Sequence, residues 1–279
     1  MTGAKAYLSL CSVYKDHAEY LREWIEFHRL VGVERFFLYD NESTDDHDAV
    51  LAPYVERGIV AVNHWKTPPS VERGVPWSII GAFNDCVERH RQDSRWIGFI
   101  DVDEFLFSPT KRPLPDVLSE FEEYSGVEVG RLDFGPSAHR TKPNGLVIES
   151  YLNRRTYTRP KKDWEHVKSI VDPARVDQAF NAHGFYYTEG YAVRENRERA
   201  LEEPPGRRIF PMTSLLRINH YIAKSEQEYE RKGAQWASAG VPWPDVDRPG
   251  FFAFLNAERD DTITMYAQAL REALAEPVR

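Results

Sequence analysis

Apolar and polar residues alternate in blocks of strand and helix length along the first hundred residues of the chain. Continuous apolar runs predict strands at 6–13, 35–39, 59–62 and 96–100. Between them, apolar residues recur at helical spacing and predict helices at 18–31, 48–57 and 77–90. Strands and helices in this order form mainly parallel sheets, because each helix carries the chain back across the sheet.

We therefore predict an α/β fold, with an open, mostly parallel, Rossmann-like sheet that has helices on both faces. Residues 1–107 contain the regular part of the pattern. In 108–279 the pattern is looser and predicts a mixed half. No linker separates the two halves, so we expect a single domain over 1–279. The elements predicted in the second half are helices at 114–124, 225–237 and 260–274 and strands at 127–134, 146–151, 169–171 and 215–221.

A highly charged segment interrupts the second half at 194–208. It contains Pro204-Pro205-Gly206, which cannot continue a helix or a central strand. We expect an exposed loop here, or a lid that closes over a ligand.

Two carboxylates follow the most apolar of the predicted strands. Asp101 and Asp103 come directly after 96–100, spaced so that both can reach one cation while Val102 points the other way. Such a pair can also be a solvated strand end or a helix N-cap. Glu104 adds a third acid, and neighbouring carboxylates repel one another unless a cation or a basic group compensates. The pattern favours a divalent metal that grips a diphosphate.

A second polar cluster follows the strand at 35–39. Asp40 and Asn41 open a polar turn, and a carboxylate at this point of a βαβ unit can accept hydrogen bonds from a ribose or a base. The same residue types also suit an ordinary turn. Ligands of parallel sheets bind outside the carboxyl ends of the strands, where Asp40 and Asp101 both lie. The sequence therefore predicts one shared site at this edge.

Other polar side chains are candidates for the same site. Asn84 and Asp85, on the helix before the carboxylate pair, are candidates for contacts to the nucleotide phosphates or sugar, or simply form the polar face of that helix. His220 lies in an apolar setting and is a candidate third metal ligand, with His183 and His139 as rivals. A core histidine with one satisfied nitrogen is the alternative. A histidine ligand favours manganese over magnesium.

Charged residues elsewhere in the chain would complete a site that grips a diphosphate. A departing diphosphate builds up negative charge, which a nearby lysine would stabilise, and the candidates are Lys15, Lys168, Lys224 and Lys232. Each of these lysines is otherwise explained as a solvated surface charge. An acceptor hydroxyl needs a general base, and the candidate carboxylates are Asp133, Glu149 and Glu165. Asp133 is favoured because it lies near a predicted strand end.

Composition narrows the range of partners. The net charge of −8 offers no broad basic surface, so we expect no nucleic acid partner. Cys11 and Cys86 lie in apolar surroundings, which predicts free thiols and a reducing compartment. No apolar run reaches the roughly 20 residues of a membrane helix, and the start does not resemble a signal peptide, so we expect a cytoplasmic protein. The glycine-rich dinucleotide, P-loop and nucleophile-elbow motifs are absent from the sequence.

Taken in order, these residues resemble the glycosyltransferases of the GT-A type. Within them, the chain is similar to glycosyltransferase family 92 (the former DUF23 domain) and to family 2-like bacterial relatives. The resemblance rests on several short segments, which are residues 15–24, 39–45, 84–86, 96–105, 134–135, 219–221 and 224–232.

The resemblance implies a GT-A fold, with a nucleotide-sugar-binding half at 1–107 and an acceptor-side half at 108–279. It implies a nucleotide-sugar donor, UDP-galactose in similar eukaryotic members, and transfer with inversion to a hydroxyl of a glycan or glycoside. It also implies a divalent metal, usually manganese. Carried over by position, Asp40 would contact the nucleoside, Asp101 and Asp103 the metal or the donor ribose, and His220 the metal.

Two other functions are compatible with the residues. A phosphohydrolase of the haloacid dehalogenase type also carries Asp-x-Asp after an apolar strand, and it would use Asp101 as its nucleophile. There the motif normally opens the fold, whereas here about a hundred residues precede it. A nucleotide-binding or sugar-binding protein without turnover is the other alternative.

Overall fold

The computed structural model describes residues 5–66, 71–72, 75–157, 167–200, 211–238, 243 and 246–278. For 71, 72, 75–78, 236 and 238 it describes the backbone alone. Glu165 and residues 201–208 of the predicted charged loop lie outside the described residues.

Strands and helices alternate along the first part of the chain, as the hydrophobic pattern predicts. The strands are β1 (Ala6–Tyr14), β2 (Arg35–Asp40), β3 (Val60–His64), β4 (Val71–Glu72), β5 (Val75–Pro76), β6 (Ser94–Phe99), β7 (Glu104–Phe107), β8 (Gly126–Asp133), β9 (Asn153–Arg154), β10 (Val167–Val171), β11 (Val176–Ala179), β12 (Phe185–Tyr187), β13 (Ala192–Arg194), β14 (Arg217–His220) and β15 (Glu258–Arg259). The α-helices are α1 (Ala18–Leu30), α2 (His47–Glu56), α3 (Trp77–His90), α4 (Leu114–Leu118), α5 (Val147–Ser150), α6 (Glu226–Ser238), α7 (Arg248–Leu255) and α8 (Ala267–Ala275). Short 3-10 helices cover Ser119–Phe121, Pro173–Arg175 and Thr262–Tyr266.

The central sheet has nine strands in the order β3-β2-β1-β6-β10-β8-β14-β7, with β13 also beside β8. The first four strands in this order, β3, β2, β1 and β6, are mutually parallel. Strand β10 runs antiparallel to both β6 and β8, whereas β14 is parallel to β8 and antiparallel to β7. A mostly parallel first half joined to a mixed second half confirms the predicted fold class.

Helices cover both faces of the sheet because each strand presents apolar side chains to both sides. Along β1, Leu8 and Leu10 face one core cluster, and Cys11 faces the other. Trp24 of α1 packs into the first cluster, and Phe83 of α3 packs into the second. The buried strands therefore carry apolar side chains on both faces, which is why they appear in the sequence as mostly apolar runs.

The chain crosses the sheet between β6 and β7. It leaves β6 at Phe99 and enters β7 at Glu104, on the far side of the strands β10, β8 and β14. The short connection thus spans the carboxyl ends of β8 and β14, which end at Asp133 and His220. This crossing brings the two predicted carboxylates next to residues from the second half of the chain.

Three predicted elements differ from the structure. The prediction of a strand at 146–151 is wrong, because Val147–Ser150 forms the short helix α5. The Glu23 side chain accepts a hydrogen bond from the Val147 N–H at 2.7 Å and so stabilises the first turn of that helix. The helices expected at 114–124 and 260–274 each contain a 3-10 segment. In the described residues, no helix is both long enough and apolar enough to cross a membrane.

Candidate active site at the carboxyl edge of the sheet

The site begins where the parallel strands end. Strand β2 ends at Asp40, and β1 ends beside it at Tyr14, whose carbonyl oxygen accepts a hydrogen bond from the Asn41 N–H at 2.8 Å. Asp101 follows β6, on the other side of β1. The two predicted carboxylates, Asp40 and Asp101, therefore flank the end of β1 at one edge of the sheet.

Asp40 is a buried carboxylate with local hydrogen-bond partners. Its Oδ1 accepts a hydrogen bond from the Ser43 N–H at 2.9 Å. Its Oδ2 lies 3.4 Å from His64 Nδ1 and 3.7 Å from His47 Nε2. Burial alone would raise the pKa of Asp40, but the bonds from Ser43 and the nearby histidines hold that pKa below its ordinary value. Asp40 is thus an ionised acceptor at the strand end.

The loop after β1 is joined to the turn after β2. Lys15 is exposed, and its carbonyl oxygen accepts a hydrogen bond from His17 Nδ1 at 2.6 Å. Asp16 has a φ of +53°, and its carboxylate accepts a hydrogen bond from the Thr44 N–H at 2.7 Å. These bonds fix the loop that carries Lys15 against the turn that begins at Asn41.

The carboxylate pair lies in a tight turn closed by Glu104. The Asp101 N–H donates to Glu104 Oε2 at 2.8 Å, and the Glu104 N–H donates to the Asp101 carbonyl oxygen at 3.0 Å. Glu104 is fully buried and pairs with Arg131 at 3.1 Å. Burial raises the pKa of Glu104 while Lys168, 3.6 Å away, acts in the opposite direction. The third acid of the motif therefore shapes the turn and does not face a ligand.

Asp101 is ion-paired to a lysine from the second half of the sheet. Lys168, on β10, is almost completely buried and its Nζ lies 2.8 Å from Asp101 Oδ2. Burial alone would raise the pKa of Asp101, but the Lys168 ammonium outweighs it and holds that pKa below its ordinary value. Lys168, a predicted donor-binding residue, thus keeps Asp101 ionised and would act on a donor through it.

Asp103 has two cationic or basic neighbours, one on each oxygen. Lys232 Nζ, from α6, lies 2.7 Å from Oδ2, and His220 Nε2 lies 3.7 Å from Oδ1. Burial alone would raise the pKa of Asp103, but Lys232 and His220 hold it well below its ordinary value. Asp103 is therefore an ionised carboxylate over the whole neutral pH range.

His220 is held in a fixed orientation by Asp133. The two residues are register partners on the parallel strands β14 and β8, and His220 Nδ1 donates to Asp133 Oδ1 at 2.9 Å. The Nε2 atom, on the other side of the ring, then faces Asp103 Oδ1 at 3.7 Å. A carboxylate that orients a histidine in this way is the usual partner of a metal-binding imidazole.

His220 and Asp103 are arranged to hold a divalent cation. Cations of this class bind nitrogen and oxygen ligands at about 2.0–2.2 Å, so two ligand atoms 3.7 Å apart can share one ion. Within the described ranges, no three His, Cys, Asp or Glu side chains are grouped to hold a metal by themselves. Magnesium-like ions commonly complete their shell with substrate phosphates and water. The residues thus fit a cation that is bound together with a phosphate ligand.

The two rival histidines make backbone hydrogen bonds elsewhere. His183 Nδ1 lies 3.0 Å from the Val167 carbonyl oxygen, and burial lowers the pKa of His183 to about 3. His139 Nε2 lies 3.0 Å from the Ser150 carbonyl oxygen. The structure therefore brings His220, and neither of these two, into the pair with Asp103.

Asn84 and Asp85 are both engaged with protein groups. Asn84 Oδ1 accepts a hydrogen bond from the Ala179 N–H at 2.7 Å, which joins α3 to β11. Asp85 accepts a hydrogen bond from the Tyr39 hydroxyl at 2.8 Å and pairs with Arg89 at 2.8 Å. These contacts support the packing of α3, and the donor-binding role of both residues stays a prediction.

Two arginines beside Asp133 were not predicted from the sequence. Arg131 Nε lies 3.5 Å from Asp133 Oδ1, and Arg155 donates to Asp133 Oδ2 at 3.4 Å. Arg131 could have been noticed, since it lies two residues before Asp133 and so on the same face of one strand. Arg155 carries no such signal, because it reaches Asp133 from outside the strand.

Comparison with known proteins decides the family. The sequence profile of glycosyltransferase family 92 matches residues 6–199, which include Asp40, Asp101, Asp103, Asp133 and Lys168. The chain belongs to glycosyltransferase family 92. His220 and α6 lie beyond the matched residues.

The family 92 chain is similar to several curated plant proteins. It is 31% identical over 233 residues to a glycosyltransferase family 92 protein of Ricinus communis, covering 81% of this chain and 37% of the relative. It is 33% identical over 250 residues to one from Oryza sativa subsp. japonica, covering 87% of this chain and 38% of the relative. A galactan beta-1,4-galactosyltransferase of Arabidopsis thaliana, GALS2, is 35% identical over 115 residues, which is 40% of this chain and 22% of that protein.

The family 92 chain thus spans a little over a third of the length of the first two of these relatives. Among solved structures it is similar to S. aureus TarS 1-349 in complex with UDP, with 10% identity and a TM-score of 0.44, over 98% of this chain and 75% of that one.

Proposed function

We propose that this chain is a divalent-metal-dependent glycosyltransferase that moves a sugar from a UDP-sugar to a hydroxyl of a glycan or glycoside, with inversion. The observation that carries the proposal is the pairing of Asp103 Oδ1 with His220 Nε2 at 3.7 Å, with His220 fixed by Asp133. That arrangement lies at the edge of the sheet where α/β folds bind ligands, in a chain of family 92.

In this proposal, the Asp40 end and the Asp103 end of the site bind different parts of the donor. Asp40, ionised and held by Ser43, would accept hydrogen bonds from the nucleoside, with Asn41 and Lys15 in the adjoining loops. Asp103 and His220 would hold the cation, and Asp101 would contact the cation or the donor ribose. Manganese suits a mixed carboxylate and imidazole set better than magnesium does. Bound there, such a cation supplies the positive charge that stabilises the departing diphosphate.

Asp133 suits a positioning role better than that of a general base. Its Oδ1 accepts from His220, and its Oδ2 accepts from Arg155. Both oxygens of this buried carboxylate are thus engaged by donors, which disfavours proton uptake from an acceptor hydroxyl. We propose that Asp133 keeps the His220 Nε2 lone pair directed at the cation.

UDP-galactose is the first donor to test, with a β-1,4-galacto-oligosaccharide as the first acceptor. Galactan beta-1,4-galactosyltransferases are among the relatives, which supports this choice. We expect product to form with Mn²⁺ and to be lost with a chelator. Inversion predicts a new β linkage from the α-linked donor, which can be identified by NMR of the product.

A binding panel tests the nucleotide part separately. UDP, GDP and CMP are compared by thermal shift, each with and without Mn²⁺. A ligand at a hundred times its dissociation constant adds about 2.7 kcal/mol to the free energy of unfolding. We expect stabilisation by UDP that depends on Mn²⁺. UDP binding without transfer to any acceptor would instead favour the nucleotide-binding alternative.

The phosphohydrolase alternative has lost its support. The chain belongs to family 92, and Asp101, the nucleophile in that alternative, is ion-paired with Lys168 at 2.8 Å. Release of phosphate from p-nitrophenyl phosphate, lost in Asp101→Asn, is the result that would restore it.

A further inference from the structure

Two lysines, one just before α6 and one in its middle, lie near the carboxylate that the proposed function assigns to the cation. Lys232 is on α6 itself, and Lys224 comes just before its N-cap, Ser225. Lys232 Nζ is 2.7 Å from Asp103 Oδ2, on the opposite oxygen from the one that faces His220. The Lys232 ammonium therefore already occupies one side of the proposed cation ligand.

Lys224 is a buried lysine without a carboxylate partner among the described residues. It is 7% exposed, and its Nζ lies 3.8 Å from the centre of the Tyr20 ring. Glu228 of α6 accepts hydrogen bonds from Ser225 and Tyr20 instead. Asp103 and Lys232 are the charged side chains that act on Lys224 most strongly. A buried cation that no carboxylate contacts at ion-pair distance is costly, so this ammonium is positioned to receive an anion.

The backbone at Lys224 supports a functional reason for this position. Lys224 has a φ of +47°, a left-handed conformation that lysine rarely adopts. Ser225 and Glu228 then form a capping box that starts α6 directly after it. Strained non-glycine residues concentrate at ligand sites, where the surrounding structure holds them in place.

We propose that Lys224 and Lys232 bind the diphosphate of the donor, and that Lys232 leaves Asp103 for a phosphate oxygen when a divalent cation binds to Asp103. The inference rests on the proposed function. A cation at Asp103 would repel the Lys232 ammonium, whereas the arriving diphosphate offers it a new anionic partner. The flexible four-carbon stem of lysine permits this exchange without movement of α6.

The exchange has a consequence that a purely structural lysine would not produce. Removal of the Lys232 charge takes a competitor away from Asp103, so Mn²⁺ alone should bind more tightly. The same change removes a phosphate ligand, so UDP should bind more weakly. The two affinities therefore move in opposite directions.

The test measures binding by titration calorimetry on the folded chain, with MnCl₂ alone, UDP with Mn²⁺, and uridine with Mn²⁺. The variants are Lys224→Met, Lys232→Met and the matched control Lys142→Met. Lys142 also contacts the Tyr20 ring, at 4.3 Å, but it is paired with Glu19 at 2.7 Å. If a methionine variant fails to fold, Lys224→Gln and Lys232→Gln replace it in the same titrations.

We expect Lys224→Met and Lys232→Met each to weaken UDP binding about tenfold, as loss of one charge-assisted contact does, and to leave uridine binding unchanged. We also expect Lys232→Met to strengthen Mn²⁺ binding severalfold and Lys142→Met to resemble wild type. Unchanged UDP affinity, equal losses for UDP and uridine, or weaker Mn²⁺ binding in Lys232→Met would overturn this inference alone. Absence of UDP binding by the wild type would contradict the proposed function as well.

Discussion

The two ends of the site are built in different ways. At Asp40, the partners Ser43, His47 and His64 all come from the same run of the chain, the farthest of them 24 residues away. At Asp103, Lys232 comes from 129 residues away, and His220 is held by Asp133 across 87 residues. The first end forms with the local βαβ units, whereas the second forms only when β14 has joined the sheet and α6 has brought Lys232 to Asp103.

This difference suggests that the two ends can be disabled separately. The Asp40 end has acceptors suited to a nucleoside, and the Asp103 end has ligands suited to a cation. Substitutions at each end should therefore affect different parts of nucleotide binding.

Asp103→Asn should abolish the Mn²⁺-dependent part of UDP binding, a loss of about a hundredfold or more, because a neutral amide is a poor ligand for a hard cation. Asp40→Asn should weaken UDP and uridine binding together while the Mn²⁺ dependence persists. Titration calorimetry with and without Mn²⁺ separates the two effects. If both variants lost the Mn²⁺ dependence equally, the division into two ends would be wrong.

Asp133→Asn should lower Mn²⁺ affinity by roughly ten- to a hundredfold, as loss of a carboxylate that orients a metal-bound histidine does. The amide keeps similar size but weakens the hydrogen bond to His220 Nδ1. Glu149→Gln is the control, because Glu149 pairs with Arg271 near the surface. Wild-type Mn²⁺ affinity in Asp133→Asn, measured in the presence of UDP, would contradict the positioning role.

Asn84→Ala tests how far the nucleoside end extends along α3. The buried Ala179 N–H would lose its acceptor, so the free energy of unfolding should fall by roughly 1–2 kcal/mol. UDP affinity should stay unchanged if the role of Asn84 is to join α3 to β11. A clear loss of UDP affinity in a stably folded variant would instead support the predicted donor contact.

Glu23→Gln tests the contact between α1 and α5 through pH. Burial raises the pKa of Glu23 to about 7, above its ordinary value near 4.5. The folded protein thus holds a proton that the unfolded chain releases, and wild type loses stability as pH rises from 4.5 to 7. Because glutamine does not ionise, the variant should gain roughly 2–3 kcal/mol on wild type across this range, since one pKa unit corresponds to about 1.4 kcal/mol. Denaturant melts at pH 5 and pH 8 measure the difference in the free energy of unfolding between the variant and wild type. The same difference at both pH values would contradict the pKa shift.

Sequence patterns were enough to predict the parts of the fold and the site that depend on local structure. The buried strands β1, β2 and β6 are continuous apolar runs, so their ends, and with them Asp40 and Asp101, could be located in advance. The edge of the sheet that carries the site followed from the alternation of strands and helices.

The second half could not be predicted equally well, because its structure depends on distant contacts. Residues 146–151 have the apolar character of a strand, yet Glu23, 124 residues before Val147, stabilises a helical turn there. Lys232 was a candidate for contact with the diphosphate, but its pairing with Asp103 was not predicted, and Arg155 was not predicted at all. Each meets its carboxylate only after the strands are assembled. Asp133 was recognised as a candidate, but its contact with His220 depends on the pairing of β8 with β14.

The most direct test of the account concerns His220. Electron spin-echo envelope modulation of Mn²⁺ bound together with UDP detects a nitrogen ligand on the ion. We expect nitrogen modulation in the wild type and its loss in His220→Gln, with UDP still bound at saturating concentration. Bound Mn²⁺ without nitrogen modulation in the wild type, or with unchanged modulation in His220→Gln, would contradict the assignment of the Asp103 and His220 pair as the cation site.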